Sequence, residues 1–220
     1  MIFRRKFLTL RPLNQKIFIF STFLMSILPA DRSCAKETSD PQSLNALHIL
    51  QERAESGNAK AQYALGHIYS HGLGVQQDDV KAIEWIEKAA FQGNAYAEDA
   101  LGLAYAGGMR GKKQDYTQAK EWFEKSAAQN DAYGQAHLGH AYARGAGIKK
   151  DCDQALYWLE KAARRTWAND EGEELLANLY EDGVCVERNL DVAADLYQKS
   201  CKQENEDGCA GYERVKAAQK

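Results

Sequence analysis

The sequence lacks the short motifs that mark the commonest catalytic and metal sites. It contains no G-x-S-x-G nucleophile turn, no glycine-rich phosphate loop and no H-E-x-x-H zinc motif. It also has no C-x-x-C pair, so neither a zinc ribbon nor a thioredoxin-like redox pair is supported. These absences argue against an enzyme, and neither a metal nor a cofactor is expected.

An excess of positive charge is also absent. The 220 residues include 28 basic and 31 acidic side chains, and the 45 % hydrophobic content is ordinary for a soluble globular chain. Without residues 1–35, 22 basic and 30 acidic side chains remain, and the net charge is −8. Binding to nucleic acid needs clustered Lys and Arg to neutralise phosphates, so nucleic acid is not an expected partner.

The apolar run over residues 17–28 is shorter than the roughly 20 residues that a membrane-spanning helix needs. It follows a basic segment and ends at Pro29, and Ser33 and Ala35 then supply the small residues of a cleavage site. We therefore expect residues 1–35 to be a bacterial signal peptide and the mature protein to be periplasmic or secreted. The alternative is an uncleaved N-terminal anchor, which would provide the protein's contact with a membrane.

From residue 58 onward the chain repeats itself four times, with a period of 36, 37 and then 38 residues. Self-similarity at this period is typical of stacked units, none of which buries its apolar face alone. Each copy has a leucine, a tyrosine four residues later and a further aromatic residue. The leucines are Leu65, Leu101, Leu138 and Leu176, the tyrosines are Tyr69, Tyr105, Tyr142 and Tyr180, and the later aromatics are Trp85, Trp122, Trp158 and Tyr197.

Each copy is predicted to form two helices. The first spans about 59–71 in the first copy and ends at Gly72 and Gly74, which are free to take positive φ. The second ends before Gly57, Gly93 or Asn130, residue types that tolerate a left-handed C-cap. A short polar residue precedes each second helix as its expected N-cap: Asp78, Asp115, Asp151 and Asn189.

When the sequence is shifted by one period, residues 43–56 align with the second helix of the first repeat. Residues 208–220 match the start of a further first helix. A lone helix at each edge of the stack would cover the terminal repeat and present polar groups to water. The predicted division is a signal peptide (1–35), a linker (36–42), an N-terminal capping helix (43–56), four repeats (57–92, 93–129, 130–166 and 167–207) and a C-terminal capping helix (208–220).

The pattern A-x-x-x-L-G-x-x-Y-x-x-G-x-G-V-x-x-D-x-x-K-A-x-x-W-x-x-K-A-A is nearly complete from Ala61 to Ala90. It resembles the Sel1-like repeat (SLR) family, a relative of the tetratricopeptide solenoids, and the resemblance covers about residues 44–216. The resemblance implies an all-α, right-handed α/α superhelical solenoid. It also implies a non-enzymatic adaptor that holds protein partners on a concave face lined by the first helices.

Four cysteines follow the predicted signal peptide, and an even number in an exported chain favours disulfides, although four cysteines allow three pairings. Cys201 and Cys209 resemble the repeated pair of the family's cysteine-rich, secreted branch, in which the pair forms a disulfide. Cys152 and Cys185 are left as a possible second pair. Some cysteine-rich relatives are associated with β-lactam binding or weak hydrolysis, which gives an alternative function by analogy alone.

Similarity to tetratricopeptide repeats also predicts the binding residues. With Leu65, Gly66 and Tyr69 packed inward, the groove falls on the other side of the first helices and runs from aromatic and His-bearing to acidic. The expected ligand is an extended or helical protein segment with basic residues toward the C-terminal, acidic end of the groove, and the alternative is a solvated face without a dedicated ligand. The predicted groove residues are Lys60, Tyr63, His67, His71, Tyr96, Asp99, Leu103, Tyr133, His140, Arg144, Glu174, Asn178 and Glu181.

His67 and His71 are spaced i, i+4 on a first helix, and His140 occupies the position of His67 two repeats on. Zinc needs three or four ligands, and the repeat pattern places no carboxylate or cysteine to complete the set. We therefore interpret these histidines as groove residues. The sequence does not identify the partner, which could also be a host protein if the chain is a secreted factor.

Overall fold

The computed structural model describes residues 41–164 and 170–219. Over these residues the chain forms ten α-helices and no β-strand, which confirms the predicted all-α fold class. The predicted signal peptide lies outside the described residues. None of the described helices is both long and apolar enough to cross a membrane. The helices are α1 (Pro41–Glu55), α2 (Ala59–His71), α3 (Asp79–Phe91), α4 (Ala95–Gly107), α5 (Tyr116–Ala128), α6 (Ala132–Arg144), α7 (Cys152–Ala163), α8 (Asp170–Asp182), α9 (Leu190–Lys202) and α10 (Glu206–Ala218).

Helices α2, α4, α6 and α8 are the first helices of the four repeats, and α3, α5, α7 and α9 are the second helices. Each helix packs against the next one along the chain. First helices of neighbouring repeats also touch, because α4 contacts α6, α6 contacts α8, and α8 contacts α10. This is the stacking of helical hairpins expected of a solenoid, and it brings side chains from different repeats together along the first helices.

The polar residue before each second helix acts as an N-cap, as the sequence predicted. The Oδ1 atom of Asp78 accepts a hydrogen bond from the Lys81 N–H at 2.9 Å, and Asp151 accepts one from Gln154 at 3.0 Å. Asp115 and Asn189 cap α5 and α9 in the same way. Each cap contributes about 1 kcal/mol and fixes the residue at which its helix begins.

The Leu-Gly pair of each of the first three repeats packs the first helix closely onto its second helix. Leu65 and Leu101 are 1 % and 0 % exposed. A Cβ added to Gly102 would lie 2.6 Å from the Phe123 ring, and one added to Gly139 would lie 2.8 Å from Leu159 Cγ. The glycines therefore set the distance between the two helices, since protein cores leave no room for the extra atom.

A second small-residue contact joins each second helix to the next first helix. Ala89 of α3 and Ala97 of α4 are both fully buried in one cluster. Where the second helix has Ser126 instead, the next first helix has Gly134, whose added Cβ would lie 2.2 Å from the serine Oγ. Ser200 and Gly208 repeat the arrangement at 2.4 Å. Where serine replaces alanine on the second helix, glycine thus replaces alanine on the facing first helix.

Two disulfides occur within the part of the chain that the structure describes. Cys152–Cys185 joins the first residue of α7 to the loop after α8, and Cys201–Cys209 joins α9 to α10. Cys185 has φ 64°, close to the 73° of Gly147, the corresponding residue one repeat earlier. A Cβ on Gly147 would collide with the backbone of Tyr116, the first residue of α5. The Cys152–Cys185 bond therefore lies where the loop of one repeat meets the start of the preceding second helix.

A single helix covers each end of the described stack. At the N-terminal end, α1 contributes Ala54 to a buried cluster with Ala61 and Leu65 of α2. At the C-terminal end, α10 buries Val215 in a cluster with Tyr197 of α9. These contacts give both terminal repeats a packed neighbour.

Candidate partner-binding groove

We call the side of α2, α4, α6 and α8 that carries the predicted groove residues the groove face. Because the repeats are in register, equivalent groove residues occupy equivalent positions along neighbouring first helices. Lys60, Tyr96 and Arg144 are exposed, whereas Tyr63 and Tyr133 are half-buried. The predicted residues therefore form a surface with both accessible and partly covered groups.

Four aromatic rings form a continuous run over α2 and α4. The rings of His71 and His67 stack at 4.1 Å, His67 meets Tyr63 at 6.5 Å, and Tyr63 stacks on Tyr96 at 5.9 Å. Tyr96, at the end of the run, is 54 % exposed. Rings at these distances attract one another, so the run is held as a unit with Tyr96 open to solvent.

The imidazole of His67 is neutral at physiological pH. Burial, with help from His71 and Arg110, lowers the pKa of His67 to about 4. The Ser70 Oγ donates to the backbone oxygen of His67 at 2.9 Å, and His71 Nδ1 lies 2.8 Å from the same hydroxyl and 3.0 Å from the same carbonyl oxygen. A carbonyl can only accept, so Nδ1 of His71 carries the proton. Burial also raises the pKa of Tyr63, whose hydroxyl stays protonated.

Near the middle of the groove face, three first helices are joined by charges. His137 Nδ1 of α6 lies 2.7 Å from Asp99 Oδ1 of α4, and His137 Nε2 lies 3.2 Å from Glu171 Oε1 of α8. The imidazole stacks on Phe123 at 5.1 Å, and only 10 % of its side chain is exposed. We call Asp99, His137 and Glu171 the histidine clamp.

Sequence reasoning selected Asp99 but missed His137 and Glu171. Asp99 is 7 % exposed and pairs with His137, so it is a buried member of the clamp. The signal that could have found His137 is its departure from the repeat, since the equivalent positions hold Ala64, Ala100 and Leu175. A large titratable residue at a position otherwise filled by apolar residues is a site candidate.

His140 lies one turn after His137 and is half-buried. Burial, followed by Arg144 and His137, lowers its pKa to about 4, so its imidazole is neutral at pH 7. Leu103, the equivalent residue of α4, is also half-buried and packs against the cluster that contains Phe123. The groove face thus has an uncharged row beside the clamp.

The acidic end is more fully neutralised than the sequence suggested. The Glu181 carboxylate accepts two hydrogen bonds from Arg214 of α10, at 2.8 and 2.6 Å, and one from the Tyr197 hydroxyl at 2.6 Å. Arg214 holds the pKa of Glu181 below its usual range. Asn178 Nδ2 donates to Glu174 at 3.3 Å, and Asn178 Oδ1 lies 2.6 Å from the Tyr197 hydroxyl oxygen. Glu181 therefore anchors the C-terminal helix, and Glu174 remains the acidic groove candidate.

No group of three or more His, Cys, Asp or Glu side chains suited to a metal ion occurs among residues 41–164 and 170–219. His67 and His71 lie together, whereas His140 is on a different first helix, two repeats away.

Comparison with known proteins identifies the family. The Sel1 repeat matches residues 59–94, 95–131, 132–166 and 171–205, so the chain belongs to the Sel1 repeat family. Proteins of this family typically act as scaffolds for protein interaction. No curated protein matches the chain. The family assignment confirms the solenoid that the sequence pattern predicted.

Solved structures agree with this assignment. A protective antigen present in uropathogenic Escherichia coli strains, which has an SLR fold, is 36 % identical with a TM-score of 0.61; the match covers 74 % of this chain and 34 % of that one. A Sel1 repeat protein from Oxalobacter formigenes is 29 % identical with a TM-score of 0.62, over 74 % and 66 % of the two chains. A sel1 repeat protein from Klebsiella pneumoniae subsp. pneumoniae is 21 % identical with a TM-score of 0.50, over 77 % and 99 %, and it supports the fold alone. This chain spans about a third of the antigen's length and about two thirds of that of the Oxalobacter protein.

Proposed function

We propose that the protein is an exported, non-enzymatic adaptor that binds a segment of a protein partner on its groove face. The observation that carries this proposal is the aromatic run from His71 to Tyr96, which ends in an exposed tyrosine. Aromatic side chains that are already fixed by packing lose little conformational freedom on binding, and they are enriched at the centres of protein interfaces. A peptide lying across α2 and α4 would cover this run.

Charge gives the segment a preferred direction. The aromatic end carries the neutral imidazole of His67 and the exposed Lys60, whereas Glu174 lies on α8 at the other end of the groove face. We infer that the bound segment has basic residues at the end that lies over α8, because such a charge pair favours one orientation of the peptide. At this end the Glu181 carboxylate is already paired with Arg214.

Export is supported by the cysteines. Two disulfides among the described residues favour an oxidising compartment, since cytosolic thiols are kept reduced. We propose that residues 1–35 direct this export and that the adaptor acts in the periplasm or outside the cell.

Crosslinking in the cell that makes the protein tests the proposal. A photocrosslinking residue would replace Tyr96 in the groove, and a second variant would carry it at Tyr157 on α7 as a matched control. The two tyrosines are 54 % and 55 % exposed, so they sample solvent equally. We expect a discrete protein to be captured at Tyr96 and not at Tyr157, with the crosslink mapped to one segment of that protein. Equal capture at both positions would contradict groove binding.

The same purified, disulfide-bonded protein also tests the enzymatic alternative. It would be incubated with a chromogenic cephalosporin, and the rate of opening of the β-lactam would be measured against protein concentration. A non-enzymatic adaptor gives only the background rate. Turnover that rises in proportion to protein concentration, together with no capture at Tyr96, would favour the hydrolase instead.

A further inference from the structure

The histidine clamp joins three repeats through one side chain. Asp99 belongs to the second repeat, His137 to the third and Glu171 to the fourth, and the two ring nitrogens of His137 face one carboxylate each. A neutral imidazole has one N–H donor and one lone pair, so it can satisfy only one of two carboxylates. Only the doubly protonated ring donates to both, and the geometry is therefore that of an imidazolium between two anions.

The surroundings of His137 strengthen this conclusion. Asp99 faces it from α4 and Glu171 from α8, while α5 contributes the uncharged Phe123 ring. From α7, the apolar Ala155 and Leu159 pack beside Gly139, two residues away on α6. Along α6 itself, His140 is the neighbouring titratable group, and Asp131 at the helix start also acts on Asp99.

We propose that the proton on His137 is a built-in switch that locks the fourth repeat to the second and third repeats, and that its loss at alkaline pH releases the fourth repeat. Without the proton, the neutral ring would donate to one carboxylate only and turn a lone pair toward the other, so one of the two contacts that join the repeats would be lost. The Cys152–Cys185 disulfide would still hold the loop after α8, so the release loosens α8 and α9 without detaching them.

The direction of the pH effect follows from the pKa of His137. Burial alone would lower this pKa, but Asp99 and Glu171 outweigh burial and raise it well above the usual value. A group with a raised pKa in the folded state stabilises the fold fully below its unfolded pKa, near 6.5, and this stabilisation is lost as pH rises through the folded value. The clamp is thus closed at pH values below the folded-state pKa of His137 and opens as the pH rises through it.

Two measurements on the full protein test the proposal. In the first, NMR follows the ring signals of His137 from pH 6 to 10 in the wild-type chain. In the second, hydrogen exchange is measured at pH 7 and pH 9.5, and protection over residues 170–202 is divided by protection over residues 59–91 in the same sample. This internal ratio removes the general acceleration of exchange by base.

The expected results are a His137 midpoint above 6.5 and a fall in the protection ratio at pH 9.5. His137→Gln should show the lowered ratio already at pH 7, whereas the control His140→Gln should behave as wild type, because His140 is neutral at both pH values. A midpoint at or below 6.5, or an unchanged ratio in the wild-type protein, would overturn the proposal. Both decisive readouts use the wild-type chain, so they hold even if His137→Gln fails to fold.

Discussion

At the scale of single residues, tight steric constraints lie where a second helix meets the next first helix. Ser126 and Gly134 form one such contact, and the serine Oγ also lies 3.1 Å from Asp131 Oδ2, the N-cap of α6. Ala89 and Ala97 fill the equivalent place one repeat earlier with one side-chain carbon each. The distance between the second helix and the next first helix therefore limits the combined size of the two facing side chains.

This matching predicts the effect of Gly134→Ala. The added Cβ would lie 2.2 Å from the Ser126 Oγ, so the helices must move apart, at a cost of about 1–3 kcal/mol in the free energy of unfolding. Adding Ser126→Ala recreates the Ala-Ala pair of the preceding repeat and should restore part of the loss. Urea unfolding of the two single variants and the double variant measures this coupling. Strictly additive effects would contradict the size-matching argument.

At the scale of helices and loops, we expect the two disulfides to stabilise the fold by different amounts. The Cys152–Cys185 bond closes a separation of 33 residues and the Cys201–Cys209 bond closes one of only 8. The restriction of the unfolded chain grows with loop length, and it predicts a stabilisation of about 4 kcal/mol for the longer loop and about 2–3 kcal/mol for the shorter one.

The prediction is checked with paired substitutions and chemical denaturation. Cys152→Ala with Cys185→Gly should destabilise the protein more than Cys201→Ala with Cys209→Ala. Glycine is chosen at 185 because the backbone there has φ 64°, and Cys185→Ala in the same background should cost about 1 kcal/mol more. Equal losses from the two bonds would show that loop length does not control their contribution.

We expect low pH to weaken the contact between α8 and α10. Arg214 lowers the pKa of Glu181, so the stabilisation from this pair is present above the ordinary glutamate pKa and is lost as pH falls through the folded value. Glu181→Gln should cost about 1 kcal/mol at pH 7, and it should reduce the loss of stability between pH 5 and pH 3.

Thermal unfolding across that pH range provides the measurement. The matched control is Glu213→Gln, at an exposed position on α10. This variant should lose as much stability between pH 5 and pH 3 as the wild type does. If Glu181→Gln and wild type lose stability in parallel below pH 5, the Glu181–Arg214 pair does not anchor the C-terminal helix.

At the scale of the whole molecule, the repeat period was enough to predict the helices and their caps. Asp78 and Asp151 could be assigned as caps because each recurs at a fixed distance before a second helix. His137 and Arg214 could not be found this way, because their roles depend on the reach of side chains between repeats. A repeat pattern reports what the copies share, whereas the groove face is built from what differs between them.

The pairing of Cys152 with Cys185 shows the same limit. Sequence alone allowed three connectivities, and the choice depends on how a loop of the fourth repeat meets the start of α7. Glu181 was assigned to the groove from its position along α8, but its partner lies 33 residues later on α10. Long-range contacts of this kind follow from the assembled stack and not from the local pattern.

The central claim, that the groove face binds a protein segment, is tested most directly by the affinity of the partner captured at Tyr96. The dissociation constant would be measured for wild type, Tyr96→Ala and Tyr157→Ala by titration calorimetry. Truncating an aromatic anchor at an interface costs about 1–2 kcal/mol or more, so Tyr96→Ala should weaken binding about tenfold. Tyr157→Ala should bind as wild type does. An unchanged affinity for Tyr96→Ala, or an equal loss for both variants, would contradict the account.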